Sequence, residues 1–304
     1  MTLLQRRIAA IQKIMGLVAT GIFDLATTNA VLSAMQVAVP ATADFNARKK
    51  TMQRQLGLTG LDVDGLVGPI TLTRLENYFS PALPPLPPHA SLIASRRSLD
   101  LIVQSEVTSK AVYNQKYKSP VVPGEASGIT IGIGYDIGHM NLATFEKDWQ
   151  PFLSATDYSL LKTGVGKKQQ AARQALTPAL KAVVISWETA MEVFYTRSMP
   201  AWAQKARKMY PGLQQLPPDA QGAIVSLVYN RGTSLDSSDR RREMRNLVTL
   251  IAAGNLQGMA QEIRAMKRLW DKRVSPGLHI RRDKEGDLVA NASFNMLPDE
   301  YVLI

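Results

Sequence analysis

The chain has 304 residues, 45% of them hydrophobic and 20% charged, a balance that suits folded domains, most naturally two, and excludes a disordered polymer. It has no cysteine, which excludes a disulfide framework and a cysteine-rich metal site. With 36 Lys and Arg against 25 Asp and Glu the formal net charge is +11, which favours anionic partners; no zinc-finger spacing, phosphate-cradling glycine loop or interleaved basic and aromatic strand points to nucleic acid.

The N-terminal MTLLQRRIAAIQKIMG lacks an uninterrupted apolar core followed by a cleavage site, so no secretory signal is expected. No apolar run reaches the roughly 20 residues of a membrane span, so no stable membrane insertion is expected either. Residues 1–79 read as a small helical domain made of two related halves. LLQRRIAAIQKIMG leads to TGIFDLATTNAVLSAM, and RKKTMQRQLGL leads to DGLVGPITLTRLENYF. Gly21, Phe23 and Thr27 align with Gly65, Val67 and Thr71 at a constant offset of 44, a degenerate internal repeat. Thr27 and Thr71 are expected to cap the helices that follow, and Pro69 suits a first helical turn. Through MQRQLGL and DGLVGPIT the second half resembles the peptidoglycan-binding modules of cell-wall hydrolases, and the first half looks like a divergent copy. The resemblance implies a wall-binding domain with Gln53, Asp64 and Gly65 as motif positions; turn and cap roles stay open for all three.

SPALPPLPPH carries five prolines, so residues 80–90 read as an extended, semi-rigid linker to a second domain over residues 91–304. That domain begins with a helical stripe, Leu99, Ile102 and Val103, which sets Glu106 at the edge of an apolar face. Partial desolvation there suits a general acid. Pro120 and Pro123 stop regular structure, after which Ile129, Ile131 and Ile133 alternate with Thr130, Gly132 and Gly134 at a period of two. The pattern predicts a strand with an open glycine face that a bulky ligand can approach.

SEVTSKAVYNQKY followed by SGITIGIGYDIG resembles the lysozyme-like muramidases of phage endolysins, the pesticin-like branch in particular. The resemblance implies Glu106 as general acid, with Thr130 and Asp136 holding the attacking water. It also implies substrate contacts from Tyr135, Asn230 and Arg231. The better known phage lysozymes carry their aspartate upstream of the threonine, which makes Glu125 the rival of Asp136.

Residues 141–154 are expected as a helix or irregular segment. Long helical patterns follow, interrupted at Thr177 and Pro178 and again near Pro200; Trp187, Met191, Phe194 and Tyr195 share a packed face. LPPDAQGAIVSLVYNRG predicts a buried helix with Asp219 as N-cap and Gly232 as C-cap. Arg240, Arg241 and Arg242 read as an exposed row that suits anionic wall polymers. Trp270 is a core, rim or cleft residue, and His89, His139 and His279 have no metal-ligand spacing.

The expected fold class is α+β, predominantly helical: a lysozyme-like catalytic domain with a small β-rich region, preceded by the small helical domain. The expected function is hydrolysis of the β-1,4 bond from N-acetylmuramic acid to N-acetylglucosamine, by a monomer without cofactor or metal. A lytic transglycosylase and a non-enzymatic wall-binding protein are the alternatives. Peptidoglycan is the expected partner, reached in the periplasm or outside the cell by release or export from the bacterial cytoplasm.

Overall fold

A computed structural model describes residues 1–79, 85–124, 126–294, 296 and 300–304. Glu125 and residues 80–84 of the proline-rich segment lie outside the described residues. The described chain is predominantly helical with two two-stranded sheets, an α+β architecture. It divides into two compact units, residues 1–84 with 293–297 and residues 85–292 with 298–304. No helix among the described residues is long and apolar enough to cross a membrane.

The first unit packs four helices, α1 (Leu3–Ile14), α2 (Leu25–Ala34), α3 (Phe45–Gln55) and α4 (Pro69–Phe79). Ile8, Ile11, Val31, Leu32, Met52, Leu72 and Leu75 form its buried core. Arg7 of α1 grips Glu76 of α4 with two 2.8 Å bonds. The internal repeat is a repeat of one buried amide. Gln12 donates to Thr20 Oγ1, Ile22 O and Thr27 Oγ1 and accepts from Gly21 N–H. Gln53 donates to Asp64 Oδ1, Leu66 O and Thr71 Oγ1 and accepts from Gly65 N–H. Each glutamine thus closes the loop between the helices of its half. Thr27 and Thr71 are therefore not N-caps, as expected from sequence, but the third helical residues; they face the glutamines, and Asp24 caps α2. Pro69 does open α4.

In the second unit β1 (Ile93–Ser95) pairs antiparallel with β4 (Tyr301–Leu303), Ala94 opposite Val302. Helix α5 (Arg96–Val107) follows, capped by Ser95, with Leu99, Ile102 and Val103 buried as the stripe predicts. The helix Pro218–Arg231 forms the centre of this unit, buried continuously from Pro218 to Val228. Asp219 is not its N-cap, which is Pro217; it is a buried carboxylate whose two oxygens accept from Nε and Nη2 of Arg97 on α5. Alongside, Gly222 lies so close to α5 that a Cβ there would meet Ser98 Oγ at 1.7 Å. Gly232 ends the helix with φ +76°.

Residues 142–149 are helical and bury Phe145 and Trp149. Thr177 caps the short helix Pro178–Lys181, which is the break expected there. At Pro200 the expected interruption takes another form. A π-turn, Phe194–Ser198, joins the helices Trp187–Val193 and Met199–Met209, so that the proline enters a first turn where no N–H is needed.

The buried amides give a test. Gln53→Leu strands the Gly65 N–H and takes one bond each from Asp64, the Leu66 carbonyl and the Thr71 hydroxyl, the last two of which still bond each other, and should cost about 1–3 kcal/mol in the first unit. All four tryptophans, Trp149, Trp187, Trp202 and Trp270, lie in the second unit. Far-UV circular dichroism should therefore show an earlier melt while tryptophan fluorescence keeps its midpoint; an unchanged dichroism melt would refute the clamp.

Candidate functional site

The segment expected as one strand is a hairpin. β2 (Thr130–Ile131) pairs with β3 (Tyr135–Asp136) in antiparallel register, Thr130 opposite Asp136 and Ile131 opposite Tyr135. Between them Gly132 and Gly134 turn the chain with φ +56° and +68°. Those conformations, and not an open face for a ligand, are what the glycines supply. A Cβ on Gly132 would meet Trp149 at 2.8 Å, and one on Gly134 would meet Glu106 Oε2 at 3.1 Å and Tyr229 OH at 3.2 Å. The turn is therefore packed by the protein itself, with the Glu106 carboxylate against it. Tyr229 fixes the turn by donating to Ile133 O at 2.7 Å. Burial, with the nearby Glu106, pushes the Tyr229 hydroxyl pKa up, so it stays a donor.

Glu106 is not set against apolar surface alone. Its Oε1 accepts from Arg281 Nη1 at 2.8 Å. Arg281, in the helix Pro276–Ala290, is 4% exposed and also donates to Glu285 Oε1 at 3.2 Å and to Ser226 O and Oγ at 3.1 and 3.2 Å. Ser226 Oγ donates to Glu285 Oε1 at 2.6 Å, and Arg282 Nη2 reaches the same oxygen at 2.9 Å. Burial works against the Arg281 charge, yet Glu285 and Glu106 outweigh it and raise its pKa. For Arg282 burial prevails, with help from Arg281, and lowers it.

A cavity of about 510 Å³ opens at Glu106. Gln104, Thr108, Asn230, Ser275 and Lys284 supply polar groups, and Leu101, Leu278 and Ile280 supply apolar wall. Glu106 and Asn230 are thus brought together, and Thr130 and Asp136 are brought together across the hairpin. Asp136 Oδ1 accepts from Gly138 N–H at 2.9 Å and Oδ2 from Gly128 N–H at 3.0 Å, with His139 Nε2 at 3.7 Å. Tyr135 points the other way: it is buried, stacks edge-on against Trp149 and donates to Asp148 at 2.8 Å. Arg231 lies over the Trp270 ring at 5.2 Å and donates to Arg240 O. Burial and the charges of Arg241, Arg282 and Arg240 lower its pKa to about 10. Gln53, Asp64 and Gly65 belong to the first unit, where their polar atoms serve the loop clamp described above.

The expected exposed arginine row is partly committed inside the fold. Arg241 donates to Arg231 O at 2.6 Å, and Arg242 pairs with Asp239 and Glu243. Burial works against the Glu243 charge, but Arg268 and Arg242 hold its carboxyl below the usual range. Among the described residues no group of three His, Asp or Glu is placed to hold a metal ion. The sequence reading missed Arg281, Glu285, Ser226 and Tyr229. The signal was present in HIRRDKEGDLV, where Arg281 and Glu285 stand one turn apart on a stripe that continues into Val289.

Residues 110–276, more than half of the chain, match the family described as Domain of unknown function (DUF8812), and the chain belongs to that family. The matched segment contains Thr130, Asp136, Asn230 and Arg231, while Glu106 and Arg281 flank it. No curated protein matches the chain.

Arg281→Lys should destabilise the second unit by about 2–3 kcal/mol, because one ammonium cannot serve Glu106, Glu285 and Ser226 together, although Glu285 keeps Arg282 and Ser226. Glu106→Gln should cost less than about 1.5 kcal/mol, since its partly exposed amide still accepts from Arg281. Fluorescence-monitored melting measures both, and equal midpoints for the two variants would contradict the network.

Proposed function

We propose that the chain is a peptidoglycan muramidase that hydrolyses the β-1,4 bond from N-acetylmuramic acid to N-acetylglucosamine. Glu106 carries the reading: a carboxyl group held by Arg281, packed on a glycine turn and facing a polar cavity. In its protonated form it donates to the glycosidic oxygen, and the carboxylate left behind faces the fixed Arg281 guanidinium. Thr130 and Asp136 position the attacking water. Their cross-strand pairing supports that role, and each Asp136 oxygen, bonded to one backbone N–H, keeps a lone pair free for water. Direct attack by water inverts the anomeric centre. The first unit, by its likeness to wall-binding modules, holds the enzyme on insoluble glycan and raises its local concentration there.

One observation favours a second reading. Glu106 is the one carboxylate among the described residues that line the cavity, and a lytic transglycosylase needs a single acid, the muramyl hydroxyl capturing the sugar.

Glu106→Gln should lower turnover on purified sacculi by at least about 100-fold while the protein stays folded. Mass spectrometry of wild-type products should find reducing muramic ends. Anhydromuramic ends would replace the hydrolase by the transglycosylase, and near-normal cleavage by the folded variant would remove Glu106 from the chemistry. Asp136→Asn also turns an acceptor toward Gly128 or Gly138 into a donor and loosens the hairpin, so the water-side assignment is better read from the anomeric configuration of the wild-type product. Retention would reject it.

A chain beginning near residue 90 should cleave soluble glycan fragments as the whole chain does and pellet less with sacculi. Undiminished pelleting would reject the wall-binding role of the first unit.

A further inference from the structure

Two residues after Glu106, Thr108 ends α5 with φ +65° and ψ −57°, and Ser109 N–H donates back to Val107 O at 2.7 Å. This is a γ-turn of the rare, strained hand, and a β-branched residue adopts positive φ only at a cost. Glycine would adopt it freely. The turn's own bonding does not require threonine: the Thr108 N–H donates to Gln104 O at 3.0 Å, which any residue but proline can do. Thr108 is exposed, its Oγ1 makes no hydrogen bond among the described residues, and it lines the cavity of Glu106. The other non-glycine residues with positive φ, Gln36 and Gln169, do not line that cavity. A strained conformation is thus combined with an unused hydroxyl at the wall of the site.

We infer that Thr108 is a substrate-contacting residue, its hydroxyl held at the cavity by the γ-turn to hydrogen-bond an acetamido or hydroxyl group of an aminosugar chain. The inference rests on the glycan reading above. The neighbouring wall agrees with it: Gln104, Asn230 and Ser275 are neutral donors and acceptors of the kind that match acetamido and hydroxyl groups. In the strained turn the side chain leaves the helix immediately beyond the acid, so that the proton donor and a hydroxyl that can fix the sugar belong to one rigid segment.

The test uses the full chain and, as probe, a soluble tetrasaccharide of alternating N-acetylglucosamine and N-acetylmuramic acid, with Kd measured by calorimetry in a Glu106→Gln background, where the probe is not turned over and wild type denotes Thr108. Thr108→Val keeps the branched shape and removes the hydroxyl, and should weaken binding about 3- to 10-fold, whereas Thr108→Ser should stay within about 2-fold of wild type. Thr108→Gly relieves the turn and should raise Tm by about 2–4 °C while weakening binding as valine does. Equal affinity of wild type and Thr108→Val would overturn the assignment of Thr108 and leave the glycan reading standing. A chain with both Glu106 and Thr108 intact that neither binds nor cleaves the tetrasaccharide would overturn both.

Discussion

A guanidinium withdrawn from water has to be matched by carboxylates and carbonyls at fixed positions, and Arg281 imposes that requirement on three helices at once. It binds Glu106 on α5, Ser226 on the central helix Pro218–Arg231 and Glu285 on its own helix. The desolvation cost of such a group is several kcal/mol, so any displacement of one helix that breaks a contact exposes the others to that cost. Near the other end of α5, Arg97 and the buried Asp219 form a second tie to the same central helix. Between them Gly222 lets the two helices touch at Ser98. Helix α5 is therefore fastened at both ends, and the location of the Glu106 carboxylate follows from the interior of the unit and not from the helix surface on which it sits.

The glycines of the hairpin belong to the same constraint. Gly132 and Gly134 have positive φ, and the space where their side chains would stand is taken by Trp149, Glu106 and Tyr229. At the base of the hairpin, a Cβ on Gly128 would lie 2.4 Å from Asp136 Oδ1, and one on Gly138 would lie 2.2 Å from Lys167 O. Each of these glycines answers an internal contact. A reading that assigns the bare strand to a ligand sees the right residues and the wrong occupant.

This sets the measure of what the sequence discloses. Period and composition identify the apolar stripe of α5, the buried helix around residue 224, the half-repeats of the first unit and the position of Glu106 at a helix edge, because each of these is a local pattern. The short strands are hidden by their brevity: two residues on either side of a turn carry almost no periodic signal, and the three alternating isoleucines imitate a longer strand. Arg281 is hidden by distance, since its partner Glu106 lies 175 residues away and nothing in the local pattern requires the pair. Asp219 illustrates a third limit. An acidic residue near a helix start suits the helix dipole whether it caps the helix or pairs across it, and only the tertiary position of Arg97 decides between the two.

In the proposed reaction the two carboxyl groups need unlike surroundings, and the fold supplies them by unlike means. Glu106 meets a permanent cation, Arg281, which is buried and bound to other groups and so cannot swing away when the charge of Glu106 changes. Asp136 meets neutral backbone N–H groups from Gly128 and Gly138, and the nearest basic side chain bonded or paired to it is His139 at 3.7 Å. One carboxyl is thereby set beside a fixed positive charge in the helical part of the unit; the other is held by backbone N–H groups on a hairpin whose shape it helps to hold. In the proposed mechanism the two supports differ accordingly: the Arg281 guanidinium is a charge that stays in place while Glu106 gives up its proton, and the amides of Gly128 and Gly138 fix the Asp136 carboxylate on the hairpin.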